Sequence, residues 1–392
     1  MDRRSFVLGC GCFGLCGAFG APQAADPWTV PPRLAKPEAG SDEGGLWALL
    51  DREEARLRRS RFLVRDAGLQ GYVNGIACRV GGEHCQDTRV YVVRTPFFNA
   101  SMAPNGMMQV WTGLLLRMGN EAQLAAVIGH ELGHYLARHS LDRLRDAKSR
   151  SAFGQFLGMA LGATGLGAAG SLAQLAIVAG MFSYSRDQER DADLIGQELM
   201  AAGGYPPIEA ARVWEQLLAE LEAEQDWSGD AGGRSVLFAT HPDPEERSKV
   251  MAERAAGMAG TDADPGAAAY GAQIAAHRRE WLEDELKRRK SGETIALLTR
   301  LLQGSDDGEL RYFLGEAYRL RGAEGDAQRA LAEYQAAASR PGCPAGAYRS
   351  LGTLQRQAGD EAAARESFRR YLSLQPQAED AEMIRTYLDE GK

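Results

Sequence analysis

The sequence predicts a mainly helical α+β protein, in which a domain with a small β-sheet precedes an α-solenoid. Two observations predict this arrangement. Within residues 46–257, segments whose apolar residues recur with helical spacing lie on both sides of a few short segments rich in β-branched residues. After about residue 275, small, aromatic and proline residues recur at a fixed interval. A chain of 392 residues is long enough for two such domains.

Three short segments predict the strands of the sheet. Residues 88–94 are rich in β-branched side chains, and residues 99–103 and 107–112 flank a Pro-Asn-Gly turn. Such a turn favours a hairpin between its two flanking strands. Helical apolar periods are predicted on either side of the strands, over residues 46–80 and 121–148.

The C-terminal segment has the period of tetratricopeptide repeats. Equivalent residues lie 34 or 35 positions apart, namely Ala330 and Ala364, Tyr334 and Phe368, and Pro341 and Pro376. In repeats of this length, helix pairs stack and bury their apolar faces against neighbouring pairs. We therefore predict a tetratricopeptide α-solenoid over residues 275–392, after a linker at 258–274 that is rich in Gly, Ala and Asp.

The N-terminus is typical of a bacterial export signal. Arg3 and Arg4 precede a small, apolar stretch and resemble the twin-arginine class of signals. We predict an export signal over residues 1–25, a linker or arm over 26–45, and a periplasmic location. Residues 7–10, Val-Leu-Gly-Cys, also resemble a lipoprotein processing box, so lipid anchoring is an alternative.

Cysteine usage and charge also bear on the environment and the partners. An oxidising compartment favours a disulfide between Cys78 and Cys85 over two reduced thiols. The formal net charge of −8, with no basic run, argues against nucleic-acid binding.

Residues 151–185 contain no charged residue, and that length can span a bilayer. Their seven glycines favour a buried or membrane-proximal helical hairpin instead.

The pentapeptide at positions 130–134, His-Glu-Leu-Gly-His, predicts metal chemistry. His130 and His134 are four residues apart, so on a helix they lie on one face and can bind the same Zn²⁺. Glu131 follows the first histidine and can act as general base toward a metal-bound water.

A hydrolytic zinc site needs a third protein ligand and one open position. On a continuous helix, His139 would point about 140° away from His134. Position 140, where a metzincin pattern would place a third histidine, is Ser140. The next acidic run contains Glu189 and Asp193, which are four residues apart and share a helix face. One of them can bind the metal while the other orients a ligand histidine.

The two motifs together resemble a known family. His-Glu-Leu-Gly-His, followed at residues 185–196 by Ser-Arg-Asp-Gln-Glu-Arg-Asp-Ala-Asp-Leu-Ile-Gly, resembles the gluzincin metallopeptidases that include HtpX and BepA. The repeats make the BepA-like branch the nearer match. The resemblance implies a zincin-type domain over residues 46–257 with one Zn²⁺ per chain. It implies the ligands His130, His134 and Glu189, with Asp193 as hydrogen-bond partner of a ligand histidine.

Two further segments resemble elements of this family. One is the strand beside the cleft that pairs with an extended substrate, here Asn99, Ala100, Ser101 and Met102. The other is Thr-His-Pro at residues 240–242, with Arg247. His241 has three alternative roles. It donates a hydrogen bond to the developing oxyanion, binds zinc as a fourth ligand that keeps the site closed, or caps the turn at Pro242.

The resemblance implies a zinc-dependent endopeptidase that acts on exported or envelope proteins in quality control or assembly. Glu131 would be its general base, and the repeats would bind protein clients or partners, with membrane association as a further expectation. One alternative is an envelope chaperone or assembly factor whose repeats dominate and whose proteolysis is latent or occasional. Another is a structural zinc module in which His241 closes the site.

Overall fold

The computed structural model describes residues 35–149, 184–228, 244–258 and 262–389, which belong to one compact unit, Pro32–Lys392. These residues are mainly helical and include a three-stranded sheet, as the sequence predicts. The export signal, the first part of the arm, most of the uncharged stretch and His241 lie outside the described residues.

Two helices precede the sheet where the sequence predicts one helical segment. Helix α1 spans Asp42–Leu57 and α2 spans Ala67–Gly81, and a short 3-10 helix follows at Gly82–Asp87. The chain between α1 and α2 leaves the helix because it pairs with the sheet: the amide of Val64 donates to the carbonyl of Val92 at 3.0 Å. The helical segment predicted over 46–80 is confirmed for most of its length, and this pairing divides it into two helices.

The strands form a small mixed sheet with the order β1-β3-β2. Strand β1 (Arg89–Val93) runs parallel to the central strand β3 (Met107–Trp111), and β2 (Ala100–Met102) runs antiparallel to it. The predicted hairpin is confirmed, and β2 is an edge strand that lies against the helix carrying the histidine motif.

Six described helices follow the sheet and hold the residues of the predicted site. They are α3 (Thr112–Arg117), α4 (Glu121–Leu136), α5 (His139–Ser149), α6 (Arg186–Ala202), α7 (Ile208–Ser228) and α8 (Pro244–Ala255). The helix predicted over 121–148 is interrupted at Arg138, whose φ is +59°. A residue with its backbone in this left-handed conformation cannot continue the helix, so α4 ends before Arg138 and the chain turns into α5.

Helices α4 and α6 pack with their backbones in close contact. A Cβ placed on Gly129 would lie 2.8 Å from the carbonyl oxygen of Gly196, and one on Gly133 would lie 2.7 Å from that of Ala192. Only small residues permit this approach, and they recur every four positions on both helices. The contact therefore fixes the register of α6, with its acidic residues, against the histidines of α4.

The substitution Gly196→Ala tests this contact. Its Cβ would lie 2.8 Å from the backbone nitrogen of His130 and 2.9 Å from the carbonyl carbon of Gly129. We expect a loss of about 1–3 kcal/mol in the free energy of unfolding, because the helices must separate. Zinc affinity should fall with it. Denaturant unfolding measures the change in stability, and chelator competition measures the change in zinc affinity.

The matched control is Gly75→Ala on α2, where no atom lies within 4 Å of the added Cβ. It should gain about 0.5–1 kcal/mol, since alanine is the better helix former. Equal behaviour of the two variants would show that the α4–α6 contact does not set stability or metal affinity.

The C-terminal helices pack in succession. They are α9 (Ala267–Lys287), α10 (Ser291–Gly304), α11 (Gly308–Arg321), α12 (Asp326–Ala338), α13 (Ala345–Gln357), α14 (Glu361–Leu374) and α15 (Ala381–Asp389). Helices α11 and α12 form one packed pair, and α13 and α14 form the next. In each pair an aromatic ring covers a glycine, Tyr334 on Gly315 and Phe368 on Gly352. This region is consistent with a solenoid.

A buried ion network joins the C-terminal helices to the residues around the sheet. Arg117 of α3 donates to Glu220 of α7 at 2.7 Å and to Glu285 of α9 at 2.8 Å. All three side chains are buried, and the two acids compensate the cost of burying the guanidinium. Helix α9, which begins inside the segment predicted as a linker, is thus fixed to the preceding domain.

Two smaller predictions concern cysteines and membranes. Cys78 at the end of α2 forms the expected disulfide with Cys85 of the 3-10 helix. Cys343 is a free, partly buried thiol. Within the described ranges, no helix combines the length and the apolar character needed to cross a bilayer.

Candidate metal centre

The structure brings together three residues that the sequence places on two distant motifs. His130 and His134 lie one turn apart on α4, and Glu189 faces them from α6. The two Nε2 atoms are 3.1 Å apart, and carboxylate oxygens of Glu189 lie 3.5 Å and 3.4 Å from the Nε2 atoms of His130 and His134. All three residues are buried.

These separations fit a tetrahedral zinc ion. Ligand atoms at about 2.0–2.1 Å from zinc in tetrahedral geometry lie about 3.3 Å from one another. The two Nε2 atoms are 3.1 Å apart, and each lies within 3.5 Å of a different oxygen of Glu189, so the three side chains converge at about this spacing. Two imidazoles and a carboxylate are also a donor set typical of catalytic zinc. Among the described residues, this is the group whose spacing and chemistry can hold a metal.

Each histidine is oriented through its outer nitrogen. His130 Nδ1 lies 2.9 Å from Asp193 Oδ1, and His134 Nδ1 lies 2.9 Å from His139 Nδ1. A hydrogen bond at Nδ1 fixes the tautomer that presents the Nε2 lone pair to a metal. The expectation that His139 points away from His134 is wrong, because the left-handed turn at Arg138 returns its ring to the site.

His139 can accept the proton of His134 only as a neutral imidazole. Burial lowers the pKa of His139 and outweighs the opposing charges of Asp191 and Asp142. With its Nδ1 accepting, the His139 proton resides on Nε2, which lies 4.0 Å from Asp191. The chain from His134 to His139 therefore has a consistent set of donors and acceptors.

Arg247 of α8 fixes the acidic residues. Its guanidinium donates two hydrogen bonds of 2.7 Å to Asp193, and its Nη1 lies 2.7 Å from Glu189 Oε2. The guanidinium also lies over the ring of Trp214, 4.2 Å from the centroid. Burial opposes ionisation of Asp193, but the charge and hydrogen bonds of Arg247, together with His130, lower its pKa to about 2.

The site carries more negative than positive charge. Three buried carboxylates surround one buried guanidinium, namely Glu131, Glu189, Asp193 and Arg247. Burial disfavours a proton on His130, yet hydrogen bonds to Asp193 and Glu189 outweigh it and raise the His130 pKa to about 9. A site that attracts a proton this strongly also favours a divalent cation in its place.

Tyr184 completes the wall of the site beside His134. Its ring stacks on the imidazole at 3.6 Å between centroids, and its hydroxyl lies 2.9 Å from Ser140 Oγ. Burial raises the pKa of Tyr184, so its hydroxyl stays neutral. The sequence did not single out this residue or His139 as parts of the site, because their contacts depend on the turn after α4.

The strand predicted to bind substrate lies at the edge of the sheet beside α4. Ala100, Ser101 and Met102 form β2, and Asn99 immediately precedes it. Asn99 is 1% exposed, and its Nδ2 finds no hydrogen-bond partner among the described residues. Glu131 follows His130 on α4 and is also buried. His241 lies outside the described residues.

Comparison with known proteins agrees with this geometry. The family model of peptidase family M48 matches residues 64–255, about half of the chain. This segment belongs to peptidase family M48. The match includes the histidine motif, the acidic residues of α6 and Arg247, so all the described residues of the metal centre lie within it.

Three relatives illustrate the extent of the similarity. Mitochondrial metalloendopeptidase OMA1 of Schizosaccharomyces pombe is 30% identical over 165 residues, 42% of this chain and 45% of that protein. The beta-barrel assembly-enhancing protease of Escherichia coli K12 is 28% identical over 212 residues, which are 51% of this chain and 42% of that protein. Metalloprotease YcaL of Escherichia coli K12 is 28% identical over 165 residues, which are 42% of this chain and 61% of that protein. The chain spans less than two thirds of each relative.

The hydrogen bond between His134 and His139 yields a prediction about metal affinity. His139→Ala removes the acceptor that fixes the His134 tautomer, so zinc affinity should fall about 10- to 100-fold. His139→Gln retains an acceptor oxygen and should recover part of the loss. Chelator competition on the purified protein measures both.

His277→Ala serves as the control, since His277 stacks on Trp281 away from the metal centre and should leave zinc affinity unchanged. Wild-type affinity in His139→Ala would show that His134 is oriented without His139.

Proposed function

We propose that this protein is a zinc-dependent endopeptidase. The observation that supports it best is the convergence of His130, His134 and Glu189, whose possible ligand atoms all lie within 4.8 Å of one another in the buried interior. Three protein ligands leave a fourth position for water, as catalytic zinc requires. One zinc ion per chain is expected.

Zinc bound by these residues supplies a Lewis acid that lowers the pKa of water and polarises a carbonyl. The protein's own residues perform the proton transfers and the positioning. Glu131 accepts a proton from the attacking water and delivers it to the leaving amine. Asp193 and His139 hold the two histidines in the required tautomers, and Arg247 holds Asp193 and Glu189.

Substrate binding is proposed at the edge strand β2. An edge strand offers backbone donors and acceptors to an extended peptide, and Asn99 to Met102 lie beside the helix that carries Glu131. The buried Asn99 amide supports this proposal, because its Nδ2 has no partner among the described residues and a buried donor without one is costly until a ligand accepts from it.

The substitution Glu131→Gln tests the mechanism. It keeps the shape of the side chain and removes the base, so folding and zinc content should survive while cleavage of an unstructured protein falls by about 10²- to 10⁴-fold. Glu215→Gln, at an exposed position of α7, should keep full activity. Undiminished cleavage by a protease-free preparation of Glu131→Gln would refute the role of Glu131.

Two of the three roles considered for His241, the fourth zinc ligand and the oxyanion donor, predict opposite results. As a fourth zinc ligand it would hold the site closed, and His241→Ala would raise activity. As an oxyanion donor it would stabilise the transition state, and the same change would lower activity by about 10²- to 10³-fold. If zinc stays bound and every variant is inactive, the structural zinc module is favoured.

We further propose that the substrates are exported or envelope proteins and that the protein acts in quality control or assembly in the periplasm. The export signal predicted from the sequence supports this location, and the disulfide between Cys78 and Cys85 supports an oxidising compartment. Of the two Escherichia coli relatives, one is a β-barrel assembly-enhancing protease and the other a metalloprotease, which supports a role in envelope protein assembly. As an alternative to a freely soluble periplasmic form, the protein is anchored to the membrane by a lipid on Cys10.

The C-terminal helices are proposed to be tetratricopeptide repeats that bind clients or partners. The equivalent glycine–aromatic contacts in the two helix pairs, Gly315 with Tyr334 and Gly352 with Phe368, support this assignment. They also support the alternative function, an assembly factor whose repeats dominate. A chromosomal Glu131→Gln mutant that keeps the wild-type envelope phenotype would favour the assembly factor over the peptidase.

A further inference from the structure

The turn between β2 and β3 is held by a helix that precedes the family-matched segment. Helix α1 ends at Leu57, whereas the family model matches residues 64–255. The side-chain amide of Asn105 in the turn donates to Asp51 Oδ1 of α1 at 3.0 Å and to Glu54 Oε2 of α1 at 3.3 Å. Helix α1 thus contacts the end of the edge strand to which substrate binding is proposed.

Arg89 of β1 links Glu54 to the same turn. Its Nε and Nη2 donate to the two carboxylate oxygens of Glu54 at 2.6 Å and 2.7 Å. The Nη2 also donates to the carbonyl of Asn105 at 2.9 Å, and the backbone amide of Arg89 donates to the carbonyl of Gly106 at 2.8 Å. The Oδ1 of Asn105 accepts from the amide of Met107 at 3.2 Å. Two carbonyls of the turn and both polar atoms of the Asn105 side chain are therefore engaged.

Glu54 is buried, and its carboxylate accepts hydrogen bonds from three elements. The Tyr91 hydroxyl of β1 donates at 2.7 Å and Arg58 of α1 at 2.9 Å, in addition to Arg89 and Asn105. Burial opposes ionisation of Glu54, but the hydrogen bonds from Arg89 and Tyr91 outweigh it and lower its pKa to about 2. Apolar packing often stabilises a fold as well as a buried ion pair does, whereas directional hydrogen bonds to charged groups hold their partners in one arrangement. The network is thus suited to fixing the position of the turn.

The turn also packs closely against the backbone before β1. Gly106 has a φ of +87°, and a Cβ on this residue would lie 2.0 Å from the carbonyl oxygen of Asp87. Asp87 is the last residue of the 3-10 helix. The position of the turn is therefore set jointly by α1, β1 and the 3-10 helix.

We propose that Glu54 is a positioning residue for substrate, which acts through the turn to hold the edge strand β2 in line with the metal centre. The inference rests on the proposed endopeptidase function and adds α1 to its substrate-binding element. The strand continues directly into the turn, and its residues Ser101 and Met102 pair with β3 on the inner side. A displaced turn would move the outer donors and acceptors of β2 away from a peptide whose scissile bond lies beside Glu131.

The substitution Glu54→Gln tests this role in the full-length, zinc-loaded protein. The substrate is a peptide that contains one cleavage site of an unstructured protein and is long enough to pair with residues 99–102. We expect KM to rise about tenfold and kcat to stay within about twofold, because binding along the strand is lost while Glu131 and the metal ligands remain. Zinc affinity, measured by chelator competition, should be unchanged. A purely structural role would reduce the amount of folded protein, which lowers the apparent kcat and leaves KM unchanged.

Asn105→Ala provides a second, uncharged route to the same network. It should raise KM by a similar factor, and the double variant should raise KM no further, because both side chains act through one set of contacts. If Glu54→Gln does not fold, Asn105→Ala decides alone, and an unchanged KM in that variant would overturn the proposal.

Glu285→Gln is the matched control. Glu285 is also a buried carboxylate that accepts from guanidinium groups, those of Arg117 and Arg288, and neither belongs to the sheet or the turn. This variant should lower the free energy of unfolding and leave KM unchanged. An equal rise of KM in Glu285→Gln would show that the effect of Glu54→Gln is not specific to the turn, and would refute the positioning role.

The outcomes separate this inference from the proposed function. If the zinc-loaded wild-type protein cleaves no substrate, the endopeptidase and the positioning role are both refuted. If the wild-type protein cleaves but Glu54→Gln lowers only kcat, or if the effects of Glu54→Gln and Asn105→Ala on KM multiply in the double variant, the positioning role is refuted and the endopeptidase stands.

Discussion

Backbone contact between α4 and α6 is the constraint on which the metal centre depends. Gly129 and Gly133 meet Ala192 and Gly196 at distances that leave no room for a larger side chain. Glu189 belongs to the same helix and reaches the histidines because the two axes are this close. The helices come from motifs separated by the uncharged stretch, so tertiary packing, rather than the local sequence, creates the ligand set.

Electrostatics explains why the residues around the ligands are as necessary as the ligands. Buried carboxylates cost free energy unless they are paired. Arg247 compensates part of the charge by contacting both Asp193 and Glu189. Hydrogen bonds to Asp193 and Glu189 also raise the pKa of His130, in line with a site that favours positive charge. The stacking of Arg247 on Trp214 ties this charge balance to α7. The positions of α6, α7 and α8 are thus coupled through one guanidinium.

Local patterns in the sequence were sufficient for the strands, the hairpin and the helical motif, because each depends on near neighbours. Glu189 was reached only through a resemblance, since spacing left Asp193 as an equal candidate. The orientation of His139 could not be predicted, because nothing in the sequence marks Arg138 as left-handed. The break between α1 and α2 was missed for a related reason. It is caused by pairing of Val64 with β1, a contact between segments distant in sequence.

The ion network around Arg117 has a consequence for how the chain can be divided. Glu285 comes from α9, beyond the family-matched segment, while Arg117 and Glu220 lie within that segment. A shortened chain ending after residue 257 would lose this partner and the apolar surface of α9. Arg117 would then keep its contact with Glu220 but lose its contact with Glu285, and the surface that α9 now covers would be exposed to solvent. The family-matched segment and α9 are therefore held together by buried contacts, and point variants are better suited than truncations to separate their roles.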